Sequence, residues 1–441
     1  MAAPKIVVIG LGYIGLPTAA MLALEELDVV GIDNDPRIIE SLKKGNIPVR
    51  EKDLTAIVRD ALGTRRLKVA RVPPRGSHYI LCVPTPLRGN KADLSYVQSA
   101  AASVVPCLRK GVTVIVESTV PPGTTGGFVR SILEKSGLAA GGDFHLAYCP
   151  ERVMPGNIIR EIVENDRVIG GIDEASAIAA ERIYRTFVRG RIHRTNLATA
   201  EFVKLMENAF RDVNIAFANE LANLAEAHGV NVWEAINLAN RHPRVNILRP
   251  GPGVGGHCIA VDPWFLLTPD VAARIIPAAR ATNDRRPGEV VLRTLRILEK
   301  IPEPKVAVFG VAYKGNADDV RESPSVEVIR GLEERGLDMK AYDPLVPQDR
   351  HPTNSLDECL QGADCILVLA DHREFDYLDP SSLGRPMRTK ILFDTRNCVD
   401  HAKWVRAGFR VHVLGRAESF PAGRAPGRGA RNRVREARRD V

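Results

Sequence analysis

The segment GPGVGGHCIAVDP, residues 251–263, sets His257 and Cys258 side by side behind a run of glycines, with Asp262 four residues further on. A thiol there could be a metal ligand, a small buried hydrophobe or a nucleophile. Zinc asks for several Cys or His at ligand spacing, and adjacent residues point in different directions, so no metal is expected. A buried filler stays open. So does a nucleophile: glycines at 253, 255 and 256 would let a substrate approach the backbone, and an oxidation carried past the aldehyde needs a thiol to hold that aldehyde.

Other chemistry-bearing residues are spread along the chain. Lys204, Asn208 and either Arg211 or Asp212 recur at three- and four-residue spacing in a helical stretch, so they share one face. An unpaired charge on a buried helix is costly, which leaves a lysine snorkelling to water or a site that holds an oxyanion. VPTP (83–86), ESTVPPGTT (117–125) and YCPERVMPG (148–156) each follow an apolar run. They bring Thr85, Thr119, Thr125, Glu151 and Arg152 to the carboxyl ends of strands, where open α/β sheets bind ligands.

GLGYIGLP (10–17) is G-x-G-x-x-G directly behind a buried strand. Gly10 would make the tight turn, Gly12 would admit a pyrophosphate, and Gly15 would let the following helix pack closely. Asp33 ends the next apolar run, eighteen residues after Gly15. A carboxylate there accepts the ribose hydroxyls and repels a 2′-phosphate, so NAD is expected over NADP. Arg37 stands near enough to meet a phosphate or to stack on adenine.

These residues need elements to hold them. KIVVI (5–9), VVGI (29–32), YILCV (79–83), VTVIV (112–116) and HLA (145–147) are short apolar runs with helix-like segments between them. That alternation is the mark of a doubly wound parallel sheet. From Thr199 to Gly229 the pattern becomes one long, mostly apolar helix ended by a glycine, buried on several sides and suited to connecting domains or subunits. Strand-like runs resume at 305–315 and recur at 338–342, 365–369, 390–393 and 410–414.

The expected fold class is therefore α/β, with two doubly wound Rossmann-like domains joined by a long central helix. The expected parts are a dinucleotide-binding domain at 1–198, a central helical region at 199–301, a second α/β domain at 302–416 and an Arg-rich tail at 417–441. The second α/β unit, AVFGVAYKGNADDV, lacks G-x-G-x-x-G and should not bind a second dinucleotide.

At 441 residues the chain exceeds what one core supports. Its formal charge of +8 is concentrated at one end: residues 416–441 carry eight Arg against three acids, +5, leaving about +3 for the rest. That tail reads as disordered, and no nucleic-acid partner is expected. Seven scattered cysteines without a C-x-x-C pair suit a reducing compartment. MAAPKIVVIG enters a strand without a cleavable leader, and no uncharged apolar run approaches the ~20 residues that span a bilayer, so a cytoplasmic protein with no membrane partner is expected.

GLGYIGLP, CVPTP, ESTVPPGTT, YCPERVMPG, GGHC with Asp262, and GVAYKGNADDVRESPS stand in the order and spacing of the nucleotide-sugar 6-dehydrogenases, the UDP-glucose and GDP-mannose dehydrogenase superfamily, which the chain resembles over residues 5–415. ENAFRDVNIAFANEL, NVWEAINLANRHPRVNIL and PGPGVGGHCIAVDPWFL are most similar to the branch acting on UDP-N-acetyl-D-mannosamine, with UDP-N-acetylglucosamine and UDP-glucose as alternative sugars.

The resemblance implies NAD as cofactor, a UDP-sugar as substrate, and a homodimer built on the long helix in a helical dimerisation region. Tyr13, Ile14, Asp33, Thr85, Thr125 and Arg321 would contact NAD. Arg152, Val153, Lys204, Asn208, Arg211, His242, Arg244, Gly255, Tyr313, Lys314 and Arg396 would surround the UDP-sugar, with His242 and Arg244 reaching across the dimer. The implied reaction is a four-electron oxidation of the 6-hydroxyl to a carboxylate, with two NADH per turnover. Cys258 would attack the aldehyde, its pKa lowered by a lysine ammonium such as Lys204, and Lys204 with Asn208 would stabilise the oxyanion. Water positioned by Thr119 and activated by Asp262 would hydrolyse the thioester. A two-electron hydroxyacid dehydrogenase would need no cysteine, and a silent nucleotide-sugar sensor would need none of the set Lys204, Asn208, Cys258 and Asp262.

Overall fold

In the computed structural model of the chain the described residues are 5–49, 51, 53–154 and 156–417, so the expected tail lies outside them apart from Ala417. They fall into two compact units, Met1–Ala209 with Val261–Ala272 and Phe210–Ala260 with Ala273 onward; the central segment contributes to both.

In the first unit, β1 (Lys5–Ile9), β2 (Asp28–Ile32), β3 (Leu67–Ala70), β4 (His78–Leu81), β5 (Thr113–Val116), β6 (His145–Tyr148), β7 (Arg167–Gly171) and β8 (Ile192–Asn196) form one sheet, ordered β8-β7-β6-β5-β4-β1-β2-β3. Every neighbouring pair is parallel except β6 with β7. The period of two explains the run KIVVI: Ile6 and Val8 enter one hydrophobic core, Val7 and Ile9 the other, on opposite faces. Each such side chain stabilises the unit by about 1.5–3 kcal/mol. Strand order reverses between β1 and β4, which opens the ligand crevice at their carboxyl ends. The strands that no apolar run announces are β3 (LKVA), β7 (RVIGG) and β8 (IHRTN), two of them at the sheet edges.

The helices that matter for the site are α1 (Gly15–Leu24), α2 (Ile158–Glu164), α3 (Glu174–Tyr184) and α4 (Leu197–Ala227), the last 31 residues long. The expected glycine stop is present: Gly229 takes φ +71° and Val230 N–H closes on Ala225 O at 2.8 Å. The helix is less enclosed than its composition suggests. Phe202, Met206, Phe210, Phe217 and Leu224 are 47–62% exposed and, at spacings of four and seven, form one apolar stripe. Among the described residues no helix is long and apolar enough to cross a membrane.

In the second unit, β9 (Lys305–Phe309), β10 (Asp338–Tyr342), β11 (Cys365–Val368), β12 (Ile391–Asp394) and β13 (Arg410–Val413) form a parallel sheet, ordered β10-β9-β11-β12-β13. The expected runs fall on these strands to within a residue or two, apart from 305–315, which continues past its strand. The turn after β9 repeats the one after β1: Gly310 N–H meets Tyr342 O as Gly10 N–H meets Ile32 O, both at 2.8 Å. Asp343 follows β10 as Asp33 follows β2, but it is buried and fully engaged. It accepts the N–H groups of Val311, Ala312, Leu345 and Val346 and faces His372 Nε2 at 3.1 Å. Nothing is left on that carboxylate for a ribose.

Candidate active site

The glycine loop turns directly from β1 into α1. A Cβ on Gly10, at φ +96°, would lie 2.5 Å from Cys82 O, so the fold itself demands that glycine. Gly12 differs: it is exposed, and a Cβ there would meet nothing within 4 Å. Its missing side chain is not needed by the protein, which fits a pyrophosphate seated at the start of α1.

Asp33 accepts Leu11 N–H at 3.0 Å on Oδ2 and Asp35 N–H at 2.9 Å on Oδ1, keeping a further lone pair on each oxygen for a diol. Arg37 is held by the Asp35 carboxylate, Nη2 to Oδ2 at 2.8 Å, and that hydrogen-bonded pair lowers the Asp35 pKa. Tyr13 and Ile14 are half-buried in the loop. Thr85 Oγ1 donates to Thr119 O at 2.6 Å, joining the loops after β4 and β5. Thr125 is fully buried, and its N–H donates to Glu201 Oε1 at 2.7 Å.

One face of α4 turns inward with Glu201, Lys204 and Asn208, each at most 6% exposed. Lys204 Nζ stands 3.8 Å from Glu151 Oε2, and Asn208 Nδ2 donates to Asp262 Oδ2 at 2.6 Å. Asp262 opens the short helix α5 (Asp262–Phe265), which is anchored by Val261 and Phe265 packed on Leu205. Burial pushes the Asp262 carboxyl up to about 6, against the pull of Lys204 and the Asn208 amide. Glu151, in the loop after β6, is pushed by burial to about 7, with Lys204 and then Arg167 opposing. Two carboxyls titrating near neutrality beside one lysine are what proton transfer at ordinary pH requires. In the same loop Arg152 is gripped by Glu207 of α4, Nη2 to Oε1 at 2.6 Å, and Val153 N–H donates to Glu151.

In the second unit Cys258 is exposed, at the end of the glycine-rich loop. The glycines answer to the protein's own backbone more than the sequence suggests. A Cβ on Gly255 would lie 2.3 Å from Glu322 O and 2.9 Å from Tyr313 Cβ, and Gly256 N–H donates to Arg321 O at 3.2 Å. Further back, Gly251 is held on both sides of its backbone. Its N–H donates to Asn219 Oδ1 at 2.9 Å, and its carbonyl accepts Arg286 Nε at 3.0 Å from α6 (Ile275–Leu298).

Arg321 is chelated by Asp319, and Arg396 pairs with Asp371 at 2.9 Å. Tyr313 and Lys314 are half-buried, whereas His242, Arg244 and His257 are exposed. At the end of the Lys204 face it is Asp212 that turns inward, paired with Arg280 at 2.6 Å; Arg211 is exposed. Four peptide steps separate Cys258 from Asp262, so the chain alone keeps their Cα atoms within about 14 Å.

The residue that sequence reasoning left without a role is Glu151. Its position after a buried strand was legible, but its pairing with Lys204, 53 positions away in the chain, was not. Glu117 opens the quoted ESTVPPGTT but was given no role there, and Arg167 carried no signal; both are buried.

The sequence matches the UDP-glucose/GDP-mannose dehydrogenase family over three segments: its NAD-binding domain at residues 4–188, its central domain at 198–285 and its UDP-binding domain at 307–401. The chain belongs to that family, and NAD is its cofactor. Among its relatives is a UDP-N-acetyl-D-mannosamine dehydrogenase of Methanocaldococcus jannaschii, 48% identical over 418 residues, covering 93% of this chain and 96% of that protein. The solved UDP-D-ManNAc dehydrogenase of Pyrococcus horikoshii superposes with a TM-score of 0.89 at 44% identity, covering 94% of this chain and 99% of the other. An NDP-N-acetyl-D-galactosaminuronic acid dehydrogenase of Ralstonia solanacearum is 42% identical, covering 88% of this chain and 95% of that one.

Proposed function

We propose that the chain oxidises the 6-hydroxyl of UDP-N-acetyl-D-mannosamine to the carboxylate, in two successive two-electron steps. The observation that carries this reading is the buried set of Lys204 against Glu151 and Asn208 against Asp262, four residues along the chain from an exposed cysteine. NAD, bound at the glycine loop and Asp33, supplies the hydride acceptor. Lys204 and Asn208 stabilise the oxygen at C6 as it loses its proton and later carries negative charge. Cys258 adds to the aldehyde and holds it first as a thiohemiacetal, then as a thioester.

Thr119 orients the hydrolytic water, and Glu151 takes its proton. Asp262 is the alternative base, but its titration near 6 and its bond to Asn208 suit it better to fixing that amide. The titration of Glu151 near 7 suits it to the proton transfer. Arg152, Val153, Arg211, His242, Arg244, Gly255, Tyr313, Lys314 and Arg396 are assigned to the UDP-sugar, and Tyr13, Ile14, Thr85, Thr125 and Arg321 to NAD.

The same reading divides the chain at 198/199 and 301/302. It makes the protein a cytoplasmic homodimer joined through the apolar stripe of α4, where five exposed hydrophobic side chains on one helix face favour burial against a second copy.

The test is NADH formed per mole of sugar nucleotide, using UDP-N-acetylmannosamine, UDP-N-acetylglucosamine, UDP-N-acetylgalactosamine and UDP-glucose. Two NADH with the first and little with the others is expected; preference for another sugar overturns the substrate, and one NADH overturns the thioester.

A further inference from the structure

Beneath the Glu151 loop lies a buried ion pair that none of these steps uses. Glu117, the residue after β5, has a side chain 1% exposed, and Arg167, the first residue of β7, has one 7% exposed. Arg167 Nη1 stands 3.6 Å from Glu117 Oε1. The same oxygen accepts Tyr184 OH at 2.7 Å from α3, while Oε2 accepts Cys82 Sγ at 2.8 Å and Thr18 Oγ1 of α1 at 3.5 Å. Arg167 also reaches Cys149 Sγ at 3.6 Å and Ile162 O at 3.4 Å, and its guanidinium lies 4.7 Å from the Tyr184 ring centre.

The pair therefore ties together the residues next to the functional loops. Glu117 stands two positions before Thr119, Cys149 two before Glu151, and Cys82 packs against the glycine turn. Burying a charge pair is costly, and a hydrophobic cluster of equal volume would hold these strands at least as well. What it adds is fixed charge and direction. Lys204 on α4 stands 3.8 Å from the Glu151 carboxylate, and Arg167 on β7, Glu117 after β5 and Glu161 on α2 are the other charges that act on it through space.

We propose that Glu117 and Arg167 are positioning residues: their buried ion pair, bonded to Cys82, Cys149, Thr18 and Tyr184, holds the Thr119 and Glu151 loops in register with one fixed charge of each sign beneath the proposed base. This rests on Glu151 being the base, as read above. Arg167 favours the ionised carboxylate and Glu117 opposes it, with the Arg167 effect the larger. Turnover that needs ionised Glu151 rises with pH through about 7, so the two residues should move that rise in opposite directions.

The experiment is the pH profile of kcat for the full chain with NAD and UDP-N-acetylmannosamine, in Arg167→Met, Arg167→Lys, Glu117→Gln and the Arg167→Met/Glu117→Gln double variant. The inflection is expected to move up in Arg167→Met, down in Glu117→Gln, and to stay in place in Arg167→Lys. The double variant, which leaves no unpaired buried charge, should fold even if a single variant does not, with its inflection above the wild-type value. A purely structural role would lower the melting temperature without opposite shifts. Unmoved inflections in the folded variants, or shifts of one sign, overturn the inference. Glu151→Gln is the control: if it turns over normally, the base assignment itself has failed, whereas its loss of turnover beside unmoved Arg167 and Glu117 profiles rejects the brace alone.

Discussion

At the scale of single residues the site works against its own stability. Glu151 and Asp262 are raised by burial to about 7 and about 6, so the folded chain binds both protons more tightly than the unfolded chain. Stability therefore falls as pH rises from about 4 toward 7, and the full penalty is present above that. Glu151→Gln should remove its share: turnover is lost, yet the melting temperature at pH 8 rises by about 2–4 °C, and near pH 4 variant and parent melt together. Calorimetric scans at the two pH values decide it, and a variant that melts lower at pH 8 contradicts the burial cost. Lys204 and Asn208 stood out in the sequence because their spacing puts them on one face of a mostly apolar helix, and Cys258 and Asp262 because they follow a run of glycines. Glu151 was placed on the ligand-binding edge but given no role, since a glutamate in a loop is ordinary until the fold encloses it.

At the scale of elements, periodicity located what burial dictates and missed what it does not. The central strands of the second unit, β9, β11 and β12, were legible because apolar runs of four or five residues mark strands buried on both faces. The edge strands β3 and β8 have one neighbour each and no such run. For α4 the composition signalled an apolar helix but not which face stays uncovered; that depends on what packs against it. The stripe makes a direct prediction. Phe210→Asp and Phe217→Asp, at positions 62% and 52% exposed, should leave the fold intact and give a monomer in sedimentation velocity where the parent chain is expected to sediment as the proposed dimer. A dimer that persists in both variants would place the interface elsewhere.

For the whole molecule, two sheets of related topology have been put to different uses. The turn after β9 copies the turn after β1, but Asp343 has its oxygens engaged by four backbone N–H groups and His372, where Asp33 meets only two N–H groups. Titration calorimetry should therefore give one NAD per chain, and Asp33→Ala should abolish it; a second site would contradict the reading of Asp343. The absence of G-x-G-x-x-G pointed the same way, although the engagement of Asp343 depends on contacts up to 32 residues away.

The Asp35 clasp on Arg37 also bears on how this coenzyme site can change over evolutionary time. Arg37 lies four residues after Asp33 with its side chain 89% exposed, so the ion pair that holds it to Asp35 is a weak, solvent-screened one. Removing Asp35 alone would leave Asp33 repelling a 2′-phosphate, whereas removing the Asp33 carboxylate lifts that repulsion and leaves Arg37 held only by its exposed pair. A drift toward the phosphorylated coenzyme therefore has its first step at Asp33, not at the clasp.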